Sequence, residues 1–265
     1  MNKITSSPWG FRLTPLDKQC EWLKNHKCKY ICGQFFENMK GLFSPEVSDV
    51  EIDNALQLTK QYGLSYASFN VNGDFMVYEG LDAQIEKCCH EIDLAAKFSP
   101  EIIILFAGWV NRDDAQVYTQ VSDALKVVSQ HAAKYNLTIA LENHGGLTTT
   151  AEQCNRILTA ANESNIGLNY DPANFLMYGE DPLKALEDLD VPVVFTHLKN
   201  LRMLNDKKEY CRIRDGIIDY QPILKLLTDK YEYNGFMGLE YEETDDVLSG
   251  SEDDLNSLIS IINMK

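Results

Sequence analysis

The sequence predicts an α/β fold, a single (β/α)8 TIM barrel running over residues 1–265. Three observations carry this expectation. Short apolar runs alternate with amphipathic segments of helix length from one end of the chain to the other. Such alternation implies parallel strands, because each parallel return needs a crossover. The pattern repeats eight times with no low-complexity tract or long linker to mark a second domain. An open doubly wound sheet is the competing arrangement, but neither a GxGxxG turn nor a P-loop accompanies any strand.

The first predicted strand is GFRL (10–13), and Thr14-Pro15 then places a cap residue before a proline suited to the first helical position. KYICGQF (29–35) is the second strand, followed by Ser48 and Glu51 at capping-box spacing. SYASFNV (65–71) and EIIILFAG (101–108) are the third and fourth. Asp113 with Gln116 has a close variant of the box, and Val117, Val121, Leu125, Val128 and Ala132 keep one helix face apolar behind it. LTIALEN (137–143) is the fifth strand, with Thr149 and Glu152 as the next box. IGLNYD (166–171) is the sixth, and Asp181-Pro182 repeats the cap-proline device. PVVFTHLKN (192–200) is the seventh. The irregular insert LRMLNDKKEYCRIRDG (201–216) comes next, and long inserts in compact domains are usually functional or disordered. This one follows a strand that carries a histidine, which favours function. GFMGLEY (235–241) is the eighth strand, and after Ser251 the residues Leu255, Leu258, Ile259 and Ile262 predict an apolar face on the last helix.

Composition excludes several classes of function. Lys plus Arg number 24 against 40 Asp plus Glu, a formal charge of −16 that repels phosphate backbones, and no basic patch offsets it. A nucleic-acid partner is therefore not expected. No stretch approaches the roughly 18 uninterrupted apolar residues of a membrane helix, and MNKITSSPWG lacks the apolar core of a signal peptide. The seven cysteines form no CxxC pair and read as reduced thiols, so a cytoplasmic location is expected.

In a barrel of this kind the active site lies at the C-terminal ends of the strands. There the last four predicted strands end in Glu142, Asp171, His197 and Glu240. Each alone has an ordinary reading. Glu142 could be a solvated cap, Asp171 before Pro172 a turn starter, His197 a core imidazole, and Glu240 part of an acidic run with Glu242 and Glu243. Four such residues at corresponding positions of consecutive strands make a stronger set. Carboxylate oxygens suit a hard divalent cation, and the histidine turns the choice toward Mn²⁺, Co²⁺, Zn²⁺ or Mg²⁺. His144 lies two residues beyond Glu142, and Lys199 two beyond His197, so each shares the face of its predecessor. Trp109, after LFAG, is a candidate apolar wall of the site, or just a rim residue.

The segments ALENHGG (140–146), NYDPANF (169–175), THLKN (196–200) and GLEYE (238–242), in that order, resemble the sugar phosphate isomerase/epimerase family with a xylose-isomerase-like TIM barrel. That group includes ketose 3-epimerases, hydroxypyruvate isomerase, inosose dehydratase and 3-dehydroshikimate dehydratase, with endonuclease IV more distant. The resemblance runs from about Ile4 to Ile262. It implies one divalent metal ion held by Glu142, Asp171, His197 and Glu240. It also implies a metal-dependent isomerase or epimerase that removes a proton next to a carbonyl of a small sugar, through an enediolate. Glu142 and Glu240, on different strands, would serve as the catalytic carboxylates flanking that enediolate. Return of the proton to the opposite face is epimerisation, and same-face return favours isomerisation. Loss of a β-hydroxyl instead makes a dehydratase.

Further substrate contacts implied are His144, Asn174, Lys199, Arg212 and Trp109. Lys199 matches the family's HxK. Arg212 and Arg214 precede DGIIDY where relatives carry a basic residue before a GxG turn, with Ile218 in place of the second glycine. Asn174 stands where several ketose epimerases have a histidine after DxxH. The expected partner is a small-molecule sugar, with no nucleic acid and no membrane; a homo-oligomer stays open. A trinuclear zinc nuclease needs several histidines, and of His26, His90, His131, His144 and His197 only the last two fall at the rim. A non-catalytic sugar-binding module is the alternative of another class, and the complete ligand set argues against it.

Overall fold

Strands buried between a helical layer and a barrel interior need apolar residues on both faces. Ile102–Leu105, buried at all four positions, is such a strand. In the computed structural model, which describes residues 3–243 and 246–263, eight parallel strands form one sheet that curls into a nearly closed barrel. These are β1 (Lys3–Ser6), β2 (Tyr30–Gln34), β3 (Ser65–Asn70), β4 (Ile102–Leu105), β5 (Thr138–Glu142), β6 (Ile166–Tyr170), β7 (Val193–Leu198) and β10 (Phe236–Leu239). Between the last two, β8 (Asn200–Leu204) and β9 (Lys207–Cys211) form a separate antiparallel hairpin. Around the barrel the order is β1-β10-β7-β6-β5-β4-β3-β2. At the seam the Thr5 hydroxyl donates to the Tyr30 carbonyl at 3.0 Å, joining β1 to β2.

The helices are α1 (Leu16–Asn25), α2 (Asp49–Tyr62), α3 (Leu81–Ala96), α4 (Ala115–Ala133), α5 (Ala151–Ala161), α6 (Pro172–Tyr178), α7 (Pro182–Asp188), α8 (Tyr220–Tyr231) and α9 (Val247–Asn263). In α4 the predicted stripe of Val117, Val121, Leu125, Val128 and Ala132 is buried, as its spacing requires. None of the helices is long and apolar enough to cross a membrane, among the described residues.

Several local expectations move. The first strand is Lys3–Ser6, paired in parallel register with Phe236–Leu239, whereas 10–13 is a turn. Its Phe11 is buried against Trp22 at 5.3 Å while Leu13 stays exposed, so the apolar run anchors a loop instead of pairing. Pro15 precedes α1 and makes no side-chain cap. Asp114, not Asp113, caps α4 at the Val117 amide, because Asp113 accepts the Tyr118 hydroxyl at 2.9 Å. The box at α5 is Thr150 with Gln153, one residue later than Thr149 with Glu152. Ser48 with Glu51 and Asp181 with Pro182 cap as expected. Ile259 is 40% exposed, so the apolar face of α9 is narrower than its spacing suggests.

Alternate residues of each strand point into the barrel. Cys32, Ala67, Ile102, Ile104, Ala140, Phe195 and Phe236 form an apolar cluster distinct from the main core. Two residues beyond Ala140 and Phe195 come Glu142 and His197, so the same inward stripe turns polar toward the C-terminal rim. Gly238 makes this possible beside His197. A methyl group there would stand 3.0 Å from the imidazole and 3.1 Å from the Phe195 ring.

Candidate active site

The polar ends of β5, β6, β7 and β10 lie side by side in the sheet and bring Glu142, Asp171, His197 and Glu240 together. Each offers one ligand atom, all four atoms lie within 4.8 Å of one another, and all four residues are buried. His197 Nδ1 is 3.1 Å from Glu142 Oε2 and 3.8 Å from Glu240 Oε1, while its Nε2 is buried without a hydrogen-bond partner. Asp171 combines the two readings its sequence position allows. Its Oδ1 accepts the Ala173 and Asn174 amides at the start of α6, at 2.9 and 3.1 Å. Its Oδ2 stands 3.1 Å from Lys199 Nζ. Three buried carboxylates converging on an imidazole with an unpartnered nitrogen are the donor set of a divalent-ion site, and these residues fit such an ion.

Neighbouring side chains hold the set in place. Asn169 Nδ2 donates to Glu142 Oε2 at 2.8 Å and lies 3.1 Å from His197 Nδ1. Asn174 Nδ2 donates to Glu142 Oε1 at 3.2 Å. Ser7 Oγ donates to Glu240 Oε1 at 2.5 Å. Asn143 exchanges hydrogen bonds with the backbone N–H and C=O of Asp171, at 2.7 and 2.8 Å. Second-layer partners of this kind fix the orientation of ligating side chains. Asn169 was legible in principle, because it precedes Asp171 by two on an inward stripe. Ser7 was not, since its strand was misplaced.

Lys199 is 2% exposed, with Nζ 2.6 Å from Glu240, 2.7 Å from Glu242 and 3.1 Å from Asp171. Burial disfavours its charge, but those three carboxylates win and hold its pKa well above the ordinary lysine value. Glu240 feels the reverse. Burial opposes ionisation, and Lys199 with His197 overcomes it, leaving the carboxyl well below its usual range. For His197, burial opposes the cation, while Glu142 and Glu240 outweigh it and lift the imidazole to about 9. Asp171 is raised by burial to about 6, against the pull of Lys199.

Above the cluster opens a cavity of about 270 Å³, near the lower end of the range for small-ligand pockets. His144 and Trp109 line it, as do Lys199, Glu142 and Glu240. The His144 ring meets Phe106 at 4.9 Å and Trp109 at 5.5 Å. Gly145 follows at φ +92, and a methyl there would fall 2.4 Å from the Tyr178 hydroxyl, so the chain turns away directly behind the histidine. Arg212 is placed elsewhere. It pairs with Asp253 of α9 and lies 3.9 Å from Glu243. Ile218, at the position of the missing glycine, exchanges backbone hydrogen bonds with the buried Asn200 carboxamide at 3.0 and 3.1 Å. The insert is the β8–β9 hairpin, whose Lys208 donates to the Leu176 carbonyl of α6 at 2.5 Å. Its Tyr210 ring lies 5.2 Å from Lys199 Nζ. Gln34, Asn70, Asn72 and Glu242 also line the cavity and were not singled out from the sequence. The signal for Gln34 and Asn70 was an amide closing an otherwise apolar strand.

Comparison with known proteins places this geometry. Residues 20–261 match the family profile described as "Xylose isomerase-like TIM barrel". Among curated proteins, the inosose dehydratase of Clostridium botulinum is 25% identical over 139 residues, covering 46% of this chain and 46% of that protein. The match thus spans about half the length of these curated relatives. Among solved structures, an IOLI protein with a bound zinc atom superposes with a TM-score of 0.82 at 17% identity, covering 100% of this chain and 99% of that one. An L-ribulose 3-epimerase follows at 0.81 and 15%, covering 100% and 95%. At these identities the likeness is one of fold.

Proposed function

Because the chain belongs to the xylose isomerase-like TIM barrel family, we propose that it is a divalent-metal-dependent isomerase or epimerase of a small sugar or sugar derivative. The reaction moves a proton at a carbon next to a carbonyl, through an enediolate. The observation that carries this reading is the placement of Glu142 and Glu240 at opposite ends of the ligand row, each with its own hydrogen-bond partners. Glu142, Asp171, His197 and Glu240 would hold the ion; the IOLI protein of similar fold binds zinc. When bound, the ion polarises the substrate carbonyl and stabilises negative charge on it.

The chain's own groups do the rest. Lys199 keeps the Glu240 carboxylate ionised, the form in which it can act as a base. Asn169 and Asn174 each occupy one oxygen of Glu142, which fixes the plane of that carboxylate toward the cavity. One glutamate removes the proton and the other returns it in an epimerase. Phe106 and Trp109 line the cavity beside His144 and give it an apolar wall.

A second reading is favoured by the curated relatives, named as inosose dehydratases. Elimination needs an acid beside the departing hydroxyl. His144, which lines the cavity and whose Nδ1 is buried without a partner, would supply that acid. The deciding experiment incubates the Mn²⁺-loaded protein in D₂O with ketoses, hydroxy-aldehydes and inososes. Deuterium entering next to the carbonyl supports the isomerase or epimerase. For an epimerase, Glu142→Gln and Glu240→Gln each abolish full turnover, and one of them retains exchange from a single epimer. A water-loss product absorbing in the ultraviolet selects the dehydratase. Neither exchange nor elimination across the panel refutes both.

A further inference from the structure

Around the barrel, β2 and β3 lie opposite β6 and β7. Gln34 and Asn70, register partners at the ends of β2 and β3, therefore face Asp171 and His197 across the rim. Both line the cavity, at 7% and 4% exposure, and neither Gln34 Oε1 nor Asn70 Oδ1 has a protein hydrogen-bond partner. A buried carboxamide oxygen left without a partner costs stability, so two side by side in a cavity wall point to a ligand that completes them. A carboxamide offers both an acceptor and donors, which suits hydroxyl groups.

The charge of the opposite wall sets the rest of the preference. Lys199 is the one lysine or arginine lining the cavity among the described residues, and its ammonium is already shared by Asp171, Glu240 and Glu242. Four carboxylates, with Glu142, against that ammonium and a dication leave the wall net negative. A phosphate or carboxylate on the substrate would enter that field with no arginine or second lysine to meet it.

We propose that Gln34 and Asn70 form a hydroxyl-reading wall that selects an uncharged polyhydroxylated substrate over phosphorylated or carboxylated counterparts. This specificity rests on the proton-transfer reading above for its chemistry, but binding tests it separately. Titration calorimetry with the Mn²⁺-loaded protein compares fructose, myo-inositol and inosose with fructose phosphate and gluconate. The neutral probes are expected to bind at least tenfold more tightly than the anions. Gln34→Met and Asn70→Leu, close in size to the native residues, should each weaken neutral binding about fivefold to tenfold. Unchanged manganese content and melting temperature in these variants separate that loss from misfolding. Equal or tighter binding of the anions, unchanged affinity in both variants, or no binding of any neutral probe overturns the proposal. Tight neutral binding without exchange or elimination in D₂O would refute the proposed reactions and leave the wall standing.

Discussion

Replacing Lys199 by methionine removes the cation from the centre of the site and keeps most of its volume. The native ammonium is 2% exposed and touches three carboxylates between 2.6 and 3.1 Å away. Deleting one partner of a buried ion pair costs about 3–5 kcal/mol, because the remaining charges stay desolvated and uncompensated. At roughly 2–4 °C per kcal/mol for a chain of this size class, Tm should fall by about 10 °C. The carboxylates have one escape, which is to take up protons. Asp171 already sits at about 6 and would rise further without its lysine, so the loss should be larger at pH 8 than at pH 5.5. Thermal denaturation of both proteins in chelator at pH 8 measures the effect. Added Mn²⁺ should narrow the gap, since a dication supplies the missing positive charge. A variant melting within about 2 °C of the parent in chelator, or a gap that Mn²⁺ leaves untouched, would refute the assignment of Lys199 as the counter-charge of this cluster.

Metal binding should release protons. His197 must be neutral to ligate, and in the metal-free protein it titrates near 9, so at pH 7.5 about one proton leaves per ion bound. Apparent affinity should therefore rise about tenfold per pH unit between 7 and 8.5, with Asp171 adding to proton release near its value of about 6. Calorimetry in two buffers of different ionisation enthalpy counts the protons, and a count of zero contradicts this electrostatic reading. Away from the site, Asp254 on α9 accepts the Ile213 amide at 2.6 Å, while its Oδ2 is buried without a partner, and burial lifts the group to about 7. A folded-state value above the unfolded one means that the native state holds the proton more tightly. The associated stability is present in full below the unfolded value and is lost as pH rises through 7. Asp254→Asn, which stays neutral, should thus gain up to about 4 kcal/mol at pH 8 and progressively less toward pH 5. Urea denaturation at both pH values checks the trend, and an equal gain at each would count against it.

Much of this protein is written locally. Period-two and period-3.6 patterns are properties of neighbouring residues, so β4, β5 and the buried stripe of α4 could be read directly. The residues of the candidate site were also legible, because a polar residue closing a buried strand contradicts its own pattern, as Glu142 and His197 do. Local capping chemistry located the helix starts within a residue or two and slipped where two candidate caps adjoin, as at Asp113 and Asp114. What stayed hidden depends on residues far apart in the chain. β1 carries only one strongly apolar residue, Ile4, and is a strand because β10 pairs with it 233 positions later, at Lys3 and Phe236. Ser7 holds Glu240 across the same distance, and Lys199 is a buried counter-charge only because β6, β7 and β10 converge on it. Gln34 and Asn70 look like ordinary strand-end amides until the barrel curls them toward Asp171 and His197. Periodicity tells each segment which face to bury. Only closure of the sheet decides which charges then meet, because the energies of such contacts depend on distances and burial that no single segment contains.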